Sequence, residues 1–213
     1  MDTDELIGTL SRGAGPAPRV SLRRAFGWPL AAATGVSLAV GVLLLGAVPA
    51  DQFATSAPWI KLAYTGPLAM ALGIAAFAAG LPARRLRPAL SAAAMLVALM
   101  AGLGLTAWLT APPSARAAVL LGADGSWVGC APRVVLLALP AFVVAIAAMR
   151  RLAPVRLRAA GGLAGATAGA CGAFAYAFCC PESSAAYVSL WYTAAVAACG
   201  VAGALAGPRL LRW

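Results

Sequence analysis

The sequence predicts an all-α integral membrane protein, a bundle of six transmembrane helices with both termini in the cytoplasm. Of its 213 residues, 62% are hydrophobic and only 10% are charged, and the mean hydropathy is +0.89. A soluble domain carries about 25% charged residues, so this chain has too few to cover a water-facing surface. It also lacks the alternating segments of about ten residues that are typical of a membrane β-barrel.

Residues 1–27 form a polar N-terminal tail, which we treat as a unit separate from the transmembrane domain 28–213. Asp2 can cap a helix, and the acidic side chains of Asp4 and Glu5 suit its positive end. A short amphipathic helix is predicted, with one apolar face made of Leu6, Ile7 and Leu10. Glycines and prolines at residues 13–18 end this helix and predict a flexible linker after it. The alternative is a frayed terminus that binds nothing.

Six apolar segments then follow, each of about 20 residues, which is enough to cross a hydrocarbon core of about 30 Å. The predicted spans are 28–48, 59–81, 89–110, 130–149, 159–178 and 187–206. The connection 111–129 is the longest, and its apolar stretch 117–121 is too short to span, so we place it at the membrane interface. Prolines at 67 and 140 predict kinks in the second and fourth spans.

The basic residues alternate between the two ends of these spans. The N-terminal tail, the turns around Arg84 and Arg150 and the C-terminal tail hold 13 of the 16 basic residues, and the others are Lys61, Arg116 and Arg133. The positive-inside rule therefore predicts cytoplasmic termini and an even number of spans. The net charge of +10 is explained by this topology, so we expect no direct contact with nucleic acid.

The centres of the spans contain no Asp or Glu, and the chain has no His at all. Lys61 and Arg133 lie within about a turn of the outer surface, where they can snorkel. Ion-coupled transporters usually need ionisable groups near the midplane, so this class is disfavoured. The sequence also lacks a nucleophile–base pair, a metal-ligand cluster and a phosphate-binding loop, so we predict neither an enzyme nor a cofactor.

Small residues recur at four-residue spacing in the last two spans, at Gly161, Gly165 and Gly169 and again at Gly203 and Gly207. Such rows let another helix approach closely. The partner helix could belong to the same chain or to a second copy. Two cysteines inside these spans, Cys171 and Cys199, are interpreted as small inert hydrophobic residues.

Three further cysteines, Cys130, Cys179 and Cys180, lie near the outer ends of spans. A disulfide between Cys130 and Cys180 requires their Cα atoms to lie within about 7 Å. Soft metal ions also favour paired thiolates. The alternative is that the three cysteines are unrelated apolar side chains.

Several motifs together resemble one known family, over essentially the whole chain. They are Asp4-Glu5-Leu6-Ile7, Trp59-Ile60-Lys61-Leu62-Ala63-Tyr64, Trp127-Val128-Gly129-Cys130, Cys180-Pro181-Glu182-Ser183, Leu190-Trp191-Tyr192 and the terminal Gly207-Pro208-Arg209-Leu210-Leu211-Arg212-Trp213. This combination resembles the NrsF family of bacterial negative regulators of sigma-F-type extracytoplasmic-function (ECF) sigma factors.

The resemblance implies a membrane-bound anti-sigma factor whose paired cysteines are Cys130 and Cys180. Family members often have His before the second cysteine, where this chain has Cys179, and an extra thiol there could join, replace or scramble the pair. The supporting residues on the outer side are Lys61, Trp127, Pro181, Glu182, Trp191 and Tyr192. The expected contact with the sigma factor is the apolar face of the tail together with Asp4 and Glu5.

We therefore expect a protein of the bacterial inner membrane that binds an ECF sigma factor and releases it when an oxidant or a heavy-metal ion reacts with the outer cysteines. A second hypothesis is a membrane thiol-disulfide oxidoreductase that uses the same cysteines, although no Cys-x-x-Cys motif is present. A small transporter is a third and weaker alternative. Continuous turnover of a thiol substrate would distinguish the enzyme from the regulator.

Overall fold

The computed structural model describes residues 2–13, 21–81, 85–122, 125–152 and 154–212. Within these residues the regular structure is helical and contains no strand. Some residues on which the predictions depend lie outside the described residues. They are Pro16 and Pro18, which follow the predicted N-terminal helix, the basic residues Arg19 and Arg84, and Trp213 of the terminal motif.

A short N-terminal helix, six long helices, one short connecting helix and a 3-10 turn at Ala50–Ala54 make up the described fold. Their bounds are α1 Thr3–Gly13, α2 Arg23–Leu45, α3 Ser56–Ala79, α4 Arg87–Thr110, α5 Arg116–Leu121, α6 Trp127–Leu152, α7 Leu157–Tyr176 and α8 Ala185–Leu210. The α1 helix is the one predicted for the tail. The six long helices coincide with the six predicted spans, and α5 covers the apolar stretch of the long connection.

The helix ends differ from the predicted ends by a few residues. The α2 helix begins five residues earlier than expected, with a π-helical turn at Arg23–Gly27, and it stops at Gly46, which has φ +81°. The α8 helix was expected to end at Gly207 and Pro208, but it continues to Leu210. The helix extends past Pro208 because the Leu211 N–H donates to the Gly207 carbonyl at 2.8 Å.

Five of the long helices, α2, α3, α4, α6 and α8, are long and apolar enough to cross a membrane by length and composition. The remaining one, α7, is 20 residues long but rich in Gly and Ala. It lies at the centre of the bundle, packed against α2, α3, α6 and α8, so its side chains face protein on most sides. The count of six spans and the orientation of the termini stay predictions.

The glycine rows of the last two long helices pack against each other. A Cβ atom on Gly169 would lie 2.8 Å from the Cys199 Cβ, and one on Gly165 would lie 3.0 Å from the Gly203 Cα. A Cβ on Gly161 would overlap the Gly203 carbonyl oxygen. The predicted close approach is confirmed, and the partner helix belongs to the same chain.

Two apolar clusters form the core. The first surrounds Cys130, Cys179 and Cys180, and we call this end of the bundle the thiol end. The second contains Phe26, Phe77 and Met149 and lies towards the opposite end, which carries Arg85, Arg87, Arg150, Arg156 and Arg158 and which we call the arginine end. Cys171 and Cys199 are buried in the second cluster, in agreement with their interpretation as small apolar residues.

Candidate functional site

The most unusual side chain at the thiol end is Lys61, in the second turn of α3. It is only 2% exposed, and its Nζ donates a hydrogen bond to the backbone oxygen of Cys180 at 2.7 Å. The expectation that Lys61 snorkels to the surface is therefore wrong. The ammonium turns inward because a carbonyl oxygen accepts from it there, and a buried charge is tolerated only when it is hydrogen-bonded.

The groups that interact electrostatically with the Lys61 ammonium are the Cys180 and Cys130 thiols and the Glu182 carboxylate. Cys130 is 0% exposed and Cys180 is 1% exposed, and both are free thiols. The structure thus brings together four of the predicted site residues, which come from three distant parts of the sequence.

Two tyrosine hydroxyls line the thiol pair. The Tyr187 hydroxyl lies beside the Cys130 thiol. The Tyr192 hydroxyl lies beside the Cys180 thiol and is fully buried, and no nitrogen or oxygen atom of the described residues forms a hydrogen bond with it. A buried polar group without a partner is rare in folded proteins.

Cys179 and Cys180 point in different directions although they are adjacent. The Cys179 sulfur faces α2, where a Cβ atom on Gly41 would lie 3.2 Å from it. Burial raises the pKa of the Cys179 thiol, and the neighbouring Cys180 adds to the increase. Only Cys180 extends into the space shared with Cys130 and Lys61. The structure therefore separates the additional thiol from the pair.

A hydrogen-bonded cover closes the thiol pair from outside. Ser126, just before α6, donates to the Glu182 carboxylate at 2.8 Å and lies 3.4 Å from the Tyr187 hydroxyl. Ser184 caps the start of α8 by accepting from the Tyr187 N–H at 3.3 Å. The same Ser184 hydroxyl donates to the Val119 carbonyl of α5 at 2.8 Å. The segment that follows Cys180 is thus fixed to both α5 and α6.

Two tryptophans complete this cover. The rings of Trp127 and Trp191 stack with centroids 5.0 Å apart and planes inclined by 28°. The Trp191 indole N–H also donates to the Leu120 carbonyl at 2.9 Å. Both residues belong to the predicted outer motif, and they join the first turn of α6 to the second turn of α8. Pro181 lies exposed at the turn between Cys180 and Glu182.

The chemistry open to this arrangement is that of two buried thiols. They can be oxidised to a disulfide, or they can bind a soft metal ion through two thiolates. Among the described residues, no group of three or more His, Cys, Asp or Glu side chains is arranged to hold a metal ion. A metal at this site would therefore have Cys130 and Cys180 as its thiolate ligands and would need ligands of another kind to complete its coordination.

The predicted sigma-factor contact lies in α1, apart from the thiol pair in the fold. Asp4 and Glu5 occupy its first turn, and Leu6, Ile7 and Leu10 are 42%, 58% and 65% exposed. Its polar side chains bond within the helix, as in the 2.7 Å contact from the Thr9 hydroxyl to the Glu5 carbonyl. The apolar face predicted from the sequence is therefore present and uncovered.

Comparison with known proteins places the chain in one family. The family model described as negative regulator of sigma F, NrsF, matches residues 10–213. The chain belongs to the NrsF family. The match begins after most of α1, since Asp4, Glu5, Leu6 and Ile7 precede residue 10.

Two curated relatives cover the whole chain. The protein named anti-sigma-F factor NrsF of Caulobacter vibrioides (strain NA1000 / CB15N) is 34% identical over 219 residues, with 100% of both chains covered. The protein named probable anti-sigma-F factor NrsF of Azospira oryzae is 31% identical over 224 residues, also with 100% of both covered. No solved structure matches this NrsF family member.

The sequence identified Tyr192 among the supporting residues of this NrsF site, but it assigned no role to the other three tyrosines. The chain has four tyrosines, and all four, Tyr64, Tyr176, Tyr187 and Tyr192, belong to the core cluster that contains the outer cysteines. Tyr64 bonds to the Thr193 hydroxyl at 2.7 Å, and Tyr176 lies 3.5 Å from the Arg133 guanidinium. The sequence signal that could have indicated these tyrosines is that all four occur at the predicted outer ends of spans.

Proposed function

We propose that this NrsF family member is an anti-sigma factor of the bacterial inner membrane that binds an ECF sigma factor and withholds it from RNA polymerase. The observation that carries this proposal is its full-length similarity to two proteins named anti-sigma-F factors. The name of the family model, negative regulator of sigma F, agrees with it. The role is regulatory rather than enzymatic.

The proposed topology has six spans, namely the five apolar helices together with α7, which is the fifth span in chain order, and both termini lie in the cytoplasm. It is supported by the five apolar helices, by the length of α7 and by the excess of arginine at one end. In this orientation α1 and the arginine end face the cytoplasm. The thiol end then faces the periplasm, where disulfides can form.

The sigma factor binds α1 in this proposal. An amphipathic helix recognises partners by inserting its apolar face into a groove, and Leu6, Ile7 and Leu10 form such a face. Their exposure supports this role, because apolar side chains in an isolated helix gain stability when a partner covers them. Asp4 and Glu5 add negative charge for a basic surface on the sigma factor.

The signal acts on the thiol pair. In the oxidative branch, Cys130 and Cys180 each lose one proton and together pass two electrons to a periplasmic oxidant, which forms one S–S bond. In the metal branch, the two thiols release two protons and bind a soft cation. Either product pulls the Cys180 peptide towards α6 and disturbs its contact with Lys61, which favours a state with lower affinity for the sigma factor.

The change reaches the cytoplasm through α7 and α8. The α7 helix ends just before Cys179, and α8 begins just after Glu182. The two helices pack closely along their glycine rows, and the Arg150 guanidinium donates to the Leu210 carbonyl at the far end of α8. Closely packed helices move as units, so a shift of the loop at residues 177–184 displaces the arginine end as well.

Capture of a sigma factor tests the proposal. The full chain and a Leu6→Ser/Ile7→Ser/Leu10→Ser variant are co-expressed with candidate ECF sigma factors and purified from membranes. The full chain is expected to retain one sigma factor and the variant to lose it. The control Thr9→Ala/Ser11→Ala alters exposed polar side chains of the same helix and is expected to retain it. Failure of the full chain to retain any sigma factor would overturn the proposal.

The thiol-disulfide oxidoreductase remains the rival for the same cysteines. It predicts that membranes containing the protein oxidise a dithiol substrate continuously. The regulator predicts a single change of state, with two electrons transferred per chain and no further turnover. Counting the electrons transferred per chain therefore separates the two functions, because the enzyme exceeds two.

A further inference from the structure

A groove of about 890 Å³ opens on the side of the bundle at the arginine end. It lies between α3 and α4 on one side and α7 and α8 on the other. Its walls are made mainly of alanine, glycine and leucine, and they include Leu81, Leu86, Leu90, Gly162, Val201 and Ala204. The volume falls within the range of about 300–1,000 Å³ that is typical of small-molecule sites.

The groove exists because α4 contacts α8 closely at one end only. Near the thiol end, a Cβ atom on Gly104 would lie 2.8 Å from the Ser189 Cβ and 3.2 Å from the Ala186 Cα. Glycine at this position lets the two backbones meet. At the opposite end of α4, Leu86 and Leu90 line the groove across from α7 and α8. An apolar cleft is thus left open on the face that the proposed topology turns to lipid.

The cytoplasmic mouth of the groove carries two arginines. Arg156 and Arg158 line it, and both are exposed. Neither guanidinium makes a hydrogen bond or an ion pair with another residue in the part of the chain that the structure describes. Leu86 on the opposite wall has Arg85 and Arg87 as its neighbours in the chain, and none of the described residues that line the groove is acidic.

We propose that this groove binds an anionic phospholipid, with an acyl chain along the apolar walls and the phosphate between Arg156 and Arg158. A guanidinium matches the geometry of a phosphate group, and basic pockets between transmembrane helices bind anionic headgroups. Inorganic phosphate would neutralise the arginines but leave the apolar walls uncovered. The proposal rests on the proposed membrane insertion and is independent of sigma-factor binding.

Lipid titration of the full chain in detergent, followed by native mass spectrometry, tests the site. Phosphatidylglycerol is expected to bind at least tenfold more tightly than phosphatidylcholine. The Arg156→Gln/Arg158→Gln variant is expected to lose about tenfold in affinity for phosphatidylglycerol. The control Arg209→Gln/Arg212→Gln removes the same charge from exposed positions at the same end but outside the groove lining, and it is expected to change the affinity less than twofold.

A second variant tests the apolar half of the site without changing its charge. Val201 is 60% exposed, so Val201→Trp fills the groove with little cost to folding. It is expected to weaken phosphatidylglycerol binding at least fivefold at an unchanged unfolding temperature. Equal binding of the two lipids, equal losses in both arginine variants, or displacement of the lipid by inorganic phosphate would each overturn the proposal. Deletion of residues 2–13 tests whether α1 occupies the groove instead. A more than fivefold gain in lipid binding on this deletion would also overturn the proposal.

Discussion

The Lys61 ammonium donates to the backbone oxygen of Cys180 at 2.7 Å, across 119 positions of sequence. This bond ties the start of α3 to the loop that carries two of the three outer cysteines. It also holds a positive charge beside the Cys130 and Cys180 thiols. Any chemistry that moves the Cys180 peptide therefore has to stretch or break a bond to a buried charge.

Replacement of Lys61 by Met tests this relationship. The Cys180 carbonyl loses its donor, and a buried acceptor without a partner costs about 1–3 kcal/mol. We expect a lower unfolding temperature and partial release of the sigma factor without any inducing signal, as measured by the amount of sigma factor recovered with the membrane protein.

Lys61→Arg is the matched control, because it keeps a charged donor on α3. We expect it to recover more than half of the wild-type sigma retention. Full retention by Lys61→Met at an unchanged unfolding temperature would show that the bond does not hold the resting state.

The second prediction concerns which cysteines react. Only Cys180 shares the space of Cys130, whereas Cys179 faces α2. After mild oxidation, we expect peptide mass spectrometry to find a Cys130–Cys180 disulfide in the wild type and in Cys179→Ser. Cys180→Ser should form no bridge to Cys130 through Cys179, because that sulfur points away.

In cells, Cys130→Ser and Cys180→Ser are expected to abolish release of the sigma factor on induction. Cys171→Ser and Cys199→Ser are the controls, since both thiols lie in the second core cluster. Normal release by Cys130→Ser and Cys180→Ser would contradict the sensor, even if the disulfide forms in vitro.

Much of the architecture could be predicted from the sequence because it depends on local patterns. Runs of apolar residues set the long helices, and Leu6, Ile7 and Leu10 recur at a spacing that defines the apolar face of α1. The glycine rows indicated close packing, but their partner could not be predicted. The choice between the same chain and a second copy depends on three-dimensional contacts that no spacing encodes.

The site was only partly predictable for the same reason. The motifs around Cys130, Cys180 and Trp191 marked one end of the bundle, yet Lys61 was expected at the surface. Whether a lysine near a helix end snorkels or turns inward depends on whether an acceptor lies within reach. Here the acceptor is a carbonyl from another helix connection, and nothing in the sequence around Lys61 indicates it.

The third prediction concerns the unpaired hydroxyl of Tyr192. A buried hydroxyl without a partner destabilises the fold, so Tyr192→Phe should be neutral or stabilise the protein by about 1 kcal/mol. Tyr64→Phe is the contrasting variant, because it removes the 2.7 Å bond to Thr193 and should cost about 0.5–1.5 kcal/mol.

Thermal unfolding in detergent measures both variants. Unchanged or higher stability in Tyr192→Phe, together with lower stability in Tyr64→Phe, would support the structure around the thiol pair. A clear loss of stability in Tyr192→Phe would show instead that the hydroxyl has a partner in the resting protein, for which a bound metal ion or a thiolate would be the candidates.

The last prediction concerns the packing of α7 against α8. A Cβ atom on Gly165 would overlap the Cys199 carbonyl oxygen and lie 3.0 Å from the Gly203 Cα. Gly165→Ala must therefore push two backbones apart, and overpacking of this kind costs about 1–3 kcal/mol. Gly102→Ala is the matched control, because a Cβ there meets nothing within 4 Å, and the change should be neutral or stabilise α4 by up to about 1 kcal/mol.

If signal transmission runs through these helices, Gly165→Ala should also weaken the coupling between oxidation of the thiol pair and release of the sigma factor, whereas Gly102→Ala should leave it intact. Equal unfolding temperatures for the two variants would contradict the close approach of α7 and α8.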